Sequence, residues 1–390
     1  EDVQAVLNHF IENGFDVWIV GGVLRDLLYG WTPKDWDLVT SATPVQVMEL
    51  FPRVIPVGLR HGTVQVHTGQ TNIETTSCPA PGLEGILIDL KRRDFTVNAL
   101  AYSYPEGELL DPAGGQRDLH LGVLRAVEDP FLRFNEDPLR TLRAGRFMSV
   151  YGFDIEEQTF IALRGASPGL QRVAIERIRE EFFKMLLGEH FSEAFGAMLR
   201  GGVIREILPE LSGRGSSEGA NSGCREEVLD HSVRAVFNSP FRLRVRLAAL
   251  FHDVDRLNRC EPGLEPPREQ TRFSKSALTA GAIMQRFRAS RILEREVAFL
   301  LENQVPDAIE GWSDSEVRRF IARVGGDMVQ DVLDLAHADR MAGKECSGSM
   351  KALEKFRCRI SEELNGKPPI GIQDLAIDGQ DVMRILNLRP

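Results

Sequence analysis

Cysteine is scarce: five in 390 residues, at positions 78, 224, 260, 346 and 358, with no Cys-x-x-Cys pair. That spacing argues against a zinc ribbon and leads to an expectation of scattered thiols in a reducing, cytoplasmic setting. Long hydrophobic runs are missing too. None approaches the roughly 20 residues that a membrane span needs, so no membrane partner is expected. Positive charge is short: 47 Lys and Arg against 57 Asp and Glu leave a net charge of −10. The chain as a whole is therefore not drawn to nucleic acid, and any RNA contact must come from a local basic surface. What is present, 43% hydrophobic and 27% charged residues, describes a globular protein. At this length the chain should divide into two to four subdomains.

The first 120 residues read as mixed α and β. In "EDVQAVLNHFIENG", apolar residues at Val3, Val6, Leu7, Phe10 and Ile11 have helical spacing that Gly14 stops. "DVWIV" (16–20) is a short buried strand, followed by Gly21-Gly22 and a helical "VLRDLL". A strand, a glycine turn and a helix N-terminus present backbone N–H groups and a positive dipole end to an anion. The same glycines also suit an ordinary tight turn, and they belong to neither a Rossmann nor a P-loop signature. Then comes "KDWDLVT" (34–40). In a strand, Asp35 and Asp37 project from one face roughly 7 Å apart and repel unless something lies between them. A solvated edge strand or turn is one reading. A divalent cation held by both is the other, and the phosphate-type turn just upstream favours it.

The order of segments decides. "VGGVLRDLLYGWTPKDWDLVTSATP" (20–44), "RRDFTVNALAY" (92–102), "DPAGGQRDL" (111–119), "EDPLRTLRAGRF" (136–147) and "ERIREEFFKML" (176–186) resemble, in sequence order, five motifs of the class II tRNA nucleotidyltransferase and bacterial poly(A) polymerase superfamily. The resemblance implies an α+β fold. A nucleotidyltransferase head with a small mixed sheet (1–122) precedes a helical neck carrying the nucleotide-selecting motif (123–188), a helical body (189–345) and a tail (346–390). It implies that Asp35 and Asp37 hold two Mg²⁺ ions, that Gly21, Gly22 and Arg25 bind the triphosphate, and that Arg93 and Asp94 handle phosphate and the ribose 2′-hydroxyl. Glu136, Glu176 and Arg177 support the site. The implied substrates are tRNA and CTP, with ATP as a second nucleotide.

Asp137-Pro138 has the form of an N-cap and first helical residue. Asp137 and Arg140, three apart, share a face, and Arg143 and Arg146 continue it. A salt-bridged exposed helix fits this pattern. So does an amino-acid template. Cytosine and adenine each show an amino donor beside a ring-nitrogen acceptor, and uracil and guanine show the reverse. A carboxylate beside a guanidinium therefore accepts C and A and leaves buried polar groups unpaired with U or G. Arg143 and Arg146 would contact phosphate and base.

Beyond residue 190 the pattern is helical. His252-Asp253 follows an apolar run and, with His231 and Asp339, resembles an HD-type domain, whose active members bind metal and cleave phosphoesters. Two departures weaken that resemblance. Val254-Asp255-Arg256 stands where Gly-Lys is usual, and Ser274-Lys275 and Gln304 occupy the places of auxiliary histidines. "LSGRGSSEGANSG" (211–223) has the composition of a flexible loop. The closing "GQDVMRILNLRP" resembles a tail motif that normally continues, and the chain starts without Met, so trimming at both ends is expected. Only "SCPAPGLEGILIDLK" (77–91) separates "IETT" (73–76) from Arg92. That is about ten residues shorter than in family members that add CCA, so the expected activity is addition of CC alone. Full CCA addition, A addition, poly(A) synthesis and an HD phosphohydrolase remain the alternatives.

Overall fold

A computed structural model of the chain describes residues 2–33, 35–58, 62–69, 71–212, 222–257, 269–306, 308–343, 347–366, 381, 383 and 384. The chain forms two compact units: residues 1–173 with 196–206, and residues 174–195 with 207–390.

The first unit is built on a seven-stranded sheet. Its elements run α1 (Asp2–Glu12), β1 (Val17–Val20), α2 (Gly22–Tyr29), β2 (Trp36–Thr40), α3 (Pro44–Leu50), β3 (Val54–Gly58), β4 (Thr63–Thr68), β5 (Thr71–Ser77), α4 (Gly82–Lys91), β6 (Ala101–Tyr104) and β7 (Leu109–Leu110). There follow α5 (Gly115–Leu121), β8 (Val123–Leu124), α6 (Pro130–Glu136), α7 (Leu139–Tyr151), β9 (Asp154–Ile155) and α8 (Glu157–Ala166). The sheet order is β3-β4-β5-β2-β1-β6-β7. Only β2 and β5 pair in parallel; every other pair is antiparallel. The expected mixed sheet is thus present.

Alternation along β2 explains the two cores. Leu38 joins Val17, Ile73, Val64 and Val66 in a cluster under Phe10 of α1 and Val47 of α3. Val39 faces the other way and packs with Trp18, Val20, Ala101 and, from α4, Ile86 and Leu90. Burying each such side chain contributes roughly 1.5–3 kcal/mol, enough to fix the register, because a slip by one residue would exchange the two faces. Asp37 shares Val39's face, the one that α4 covers. Asp35 lies one residue before the strand, so the expected two-carboxylate strand holds only Asp37.

The second unit is helical. It comprises α9 (Ile175–Leu186), the first residues of α10 (Phe191–Arg200) and the last of α11 (Val203–Ile207), then α12 (Pro209–Ser212), α13 (Ser222–Phe237), α14 (Leu243–Phe251) and α15 (Val254–Leu257). It continues with α16 (Glu269–Arg286), α17 (Arg291–Glu302), α18 (Asp314–Val324), α19 (Gly326–Ala342) and α20 (Ser347–Asn365). The centre of this unit is α14, in which Val245 to Phe251 are all buried. No described helix is long and apolar enough to cross a membrane. Residues 213–221 of the loop-like stretch, and most of the closing motif, lie outside the described residues.

Candidate active site

Parallel register brings a second strand's carboxylate to Asp37. Its partner across the β2–β5 ladder is Glu74, which therefore shares its face. Burial, then the like charges of Glu74 and Asp35, push the Asp37 carboxyl up to about 6, against the pull of Arg93 and Arg25. The sequence reading missed Glu74. The signal available was an acid in an otherwise β-branched "IETT", but nothing in the sequence fixes which strand pairs with β2.

The glycine turn sits where the first motif requires it. Gly21 caps α2 with φ 67°, a left-handed conformation that favours glycine. A Cβ there would lie 2.3 Å from Nη1 of Arg93. The turn is therefore closed by a guanidinium from the second motif. Arg25 is buried. It donates to Asn98 Oδ1 and, from Nε and Nη2, to Asp26 Oδ1 at 3.0 and 2.8 Å. Its guanidinium also lies 4.6 Å from the Tyr151 ring centre and 5.1 Å from that of Phe147. Arg93 pairs with Asp89 at 3.0 Å and donates to the Asn98 carbonyl at 3.4 Å.

Asp94 joins the second motif to the fourth. Its Oδ1 accepts from the Phe95 N–H and from Asn98 Nδ2, both at 2.9 Å. Its Oδ2 accepts from Nε and Nη2 of Arg143, both at 2.7 Å. Burial alone would raise this carboxyl, but Arg143 and the hydrogen bonds outweigh burial and hold it well below the usual carboxylate range. Asp137 Oδ1 accepts the Leu139 N–H at 3.1 Å, so it caps the start of α7 much as the sequence suggests, although the regular helix begins at Leu139. Arg140 donates to Glu136 Oε2 at 3.3 Å and to the carbonyls of Arg133 at 3.1 Å and Arg92 at 2.8 Å. Buried Arg133 holds the other oxygen of Glu136 at 2.9 Å. Arg146 stands 4.5 Å from the Phe147 ring centre. Asn98 and Arg133, both missed from sequence, tie these motifs together.

Glu176 and Arg177 belong to the second unit, where Glu176 pairs with Arg288 at 2.5 Å. That unit also assembles the four HD-like residues. His231 Nε2 lies 2.8 Å from Asp339 Oδ1 and 3.2 Å from His252 Nε2. His252 Nε2 lies 3.2 Å from Asp339 Oδ1 and 3.8 Å from Asp253 Oδ2. Burial lowers the His252 pKa, but Asp253 and Asp339 overcome it and lift the ring to about 9. Asp339 is driven well down by the two histidines, despite its own burial. His231, His252 and Asp339 bring three ligand atoms within 4.8 Å of one another. Gln304, at an auxiliary-histidine place, donates to the Leu301 carbonyl at 3.1 Å instead. Cys78 and Cys358 are free, but Cys224 is disulfide-bonded, which corrects the expectation of thiols throughout. Sequence spacing does not reveal which thiols a helical fold brings together.

Comparison with known proteins places this geometry. Residues 17–125 match the family described as poly A polymerase head domain, and residues 152–213 match the probable RNA and SrmB-binding site of polymerase A. Two stretches of the chain are thus similar to domains of the poly A polymerase families. Among its relatives, the CCA-adding enzyme of Leuconostoc mesenteroides is 40% identical over 219 residues, 53% of this chain and 54% of the relative. The CC-adding tRNA nucleotidyltransferase of Halalkalibacterium halodurans is 38% identical over 208 residues, 53% of this chain and 54% of the relative. The chain thus spans about half the length of these curated relatives. The solved Bacillus stearothermophilus CCA-adding enzyme, in complex with CTP, superposes over 100% of this chain and 88% of its own, with TM-score 0.72 and 25% identity.

The resemblance implies Mg²⁺, and the chemistry of the head's donors suits it, although among the described residues only His231, His252 and Asp339 bring three ligand atoms within 4.8 Å of one another. Asp35, Asp37 and Glu74 offer hard oxygen ligands, and the Asp37 carboxyl, raised by burial and then by the like charges of Glu74 and Asp35, is one that a cation would relieve.

Proposed function

We propose that this chain adds cytidines, CC, to the 3′ end of tRNA in the cytoplasm, with CTP and Mg²⁺ and without a nucleic-acid template. The observation that carries the proposal is Asp37 in register with Glu74, its carboxyl raised by burial and like charge, beside a glycine turn closed by Arg93. Asp35, Asp37 and Glu74 would hold the divalent cation. When bound, it supplies charge neutralisation on the triphosphate and a lowered pKa for the attacking 3′-hydroxyl. The Gly21-Gly22 turn and the N-terminus of α2 offer backbone N–H groups to the phosphates, with Arg93 alongside. Asp94 and Arg143 lock α7 to the second motif, so Asp137 and Arg140 are presented from a rigid element. Their paired acceptor and donor select the C and A pairing edges over U and G.

Restriction to CC rests on the connection before Arg92. Ser77 ends β5 and α4 starts at Gly82, so only residues 78–81 are irregular. No room remains there for a long loop that could reshape the pocket for a purine. The test is a tRNA transcript lacking CCA, supplied with CTP and ATP, with products sized. Growth should stop at two nucleotides. Growth to three, ending in A, supports full CCA addition instead, long A tracts support poly(A) synthesis, and no growth overturns the transferase reading.

A second reading attaches to the other unit. The converging His231, His252 and Asp339 support a metal-dependent phosphohydrolase. Release of p-nitrophenol from its phosphate with added Mn²⁺ or Ni²⁺, lost in His231→Gln, would establish it. Absence of release with either ion would remove it.

A further inference from the structure

The loop between α2 and β2 carries an aromatic surface that the transfer chemistry does not use. Gly30 closes α2 in a left-handed conformation, and its N–H donates to the Asp26 and Leu27 carbonyls. The Trp31 N–H donates to the Asp26 carbonyl at 2.8 Å. Trp31 is therefore pinned by its backbone. Its indole stacks on Tyr151, with ring centres 4.9 Å apart and planes 27° apart, and Tyr151 stacks on Phe153 at 5.2 Å and 12°. Tyr29 meets all three rings edge-on, and its hydroxyl donates to the Tyr151 carbonyl. The Tyr151 hydroxyl donates to Asp26. These contacts hold each ring in place. Yet Trp31 remains 44% exposed while Phe153 is buried, so the run of stacked rings opens to solvent at the indole.

We propose that Trp31 is a stacking platform for a nucleobase near the 3′ end of the RNA acceptor, a role that rests on the transferase reading above. A rigid, half-exposed indole backed by further rings suits a π-face of any base, and such stacking tolerates sequence. Two observations direct it to RNA. Phe153 lies in the segment matched to the RNA-binding family, whereas Trp31 lies in the head, so the stack joins the two. Trp31 also precedes Asp35 by four residues, which keeps the two Cα atoms within about 14 Å. A base on the open indole face is thus near the carboxylates proposed to act on the 3′-hydroxyl, while the incoming nucleotide's base is assigned to Asp137 and Arg140.

The test compares wild type, Trp31→Ala and Trp31→Phe on a tRNA transcript ending at its discriminator base. Trp31→Ala should raise KM for the RNA roughly 5- to 100-fold, with KM for CTP and the melting temperature nearly unchanged. Trp31→Phe, which keeps a ring, should recover most of the loss. An unchanged RNA KM overturns the proposal, as does a rise confined to CTP, which would place the incoming base on the indole. Should Trp31→Ala not fold, Trp31→Phe reports directly. A single-stranded RNA ending in CC should quench the tryptophan emission of wild type more than that of Trp31→Phe, which keeps Trp18, Trp36 and Trp312, and equal quenching in the two overturns the proposal. Failure of the transferase reading would show separately, as no nucleotide addition by wild type.

Discussion

The two units each gather acidic or histidine side chains, and they differ in how the charge is settled. In the head, Asp37 faces Glu74 and Asp35 with only partial relief from Arg93 and Arg25, and its carboxyl rises to about 6. In the helical unit, the two histidines answer Asp339, and His252 rises to about 9 while Asp339 falls. The first set repels itself, and a proton or a cation on Asp37 relieves it. The second is already paired. The proposed function thus places the reacting centre at uncompensated charge on a scaffold strand and not at the closest convergence of ligand atoms.

The largest expected break of this contrast is at the carboxylates. Asp35→Ala should lower nucleotide addition by at least about 10³-fold, and Glu74→Gln by roughly 10²-fold, each with an unchanged melting temperature. Single-turnover CMP incorporation measures both. Near-normal turnover in either would remove that residue from the cation site.

Next in size is the strut between the second and fourth motifs. Arg143→Ala strands Asp94, a buried carboxylate, and breaking such a pair costs about 3–5 kcal/mol. Denaturant unfolding should show a loss of that order. A change under about 1 kcal/mol would mean that Asn98 and the Phe95 N–H suffice.

Selectivity should respond more gently. Arg140→Ala should raise UMP relative to CMP incorporation about 10- to 100-fold while KM for the triphosphate moves little. Unchanged selectivity would dismiss the amino-acid template.

pH separates the two units with the smallest signals. Asp37 binds its proton more tightly folded than unfolded, so without a cation its contribution to stability falls as pH rises from the ordinary 3.8 to about 6. Cation binding needs the carboxylate, so apparent Mg²⁺ affinity should climb up to about pH 6 and then level. His252 runs the same way, over a higher pH range. Its folded value is above the ordinary 6.5, so its stabilisation is complete below that pH and is lost as pH rises through about 9. Thermal melting from pH 6.5 to 10 should decline in wild type and decline less in His252→Gln. Parallel curves would show that the ring does not titrate there.

Local chemistry was legible and long-range pairing was not. The helix before Gly14, the strand at 17–20 and the cap by Asp137 follow from spacing and turn chemistry within a few residues. His231, His252 and Asp339, grouped in the sequence by resemblance, do converge in the fold. Glu74 was missed because its role comes from pairing with a strand 37 positions earlier, which no local pattern encodes. Arg25 shows the same limit. Its place at the glycine turn was readable, but its burial against Tyr151, from a helix over 120 residues away, was not.

The central claim is that transfer chemistry resides in the β2 and β5 carboxylates and not in the histidine cluster. One assay tests it most directly: CMP incorporation into tRNA lacking CCA, in Mg²⁺ near pH 7.5, by Asp37→Asn and His231→Gln in parallel. The account predicts that incorporation vanishes in the first and stays within about twofold of wild type in the second. Loss in His231→Gln with retention in Asp37→Asn would contradict it.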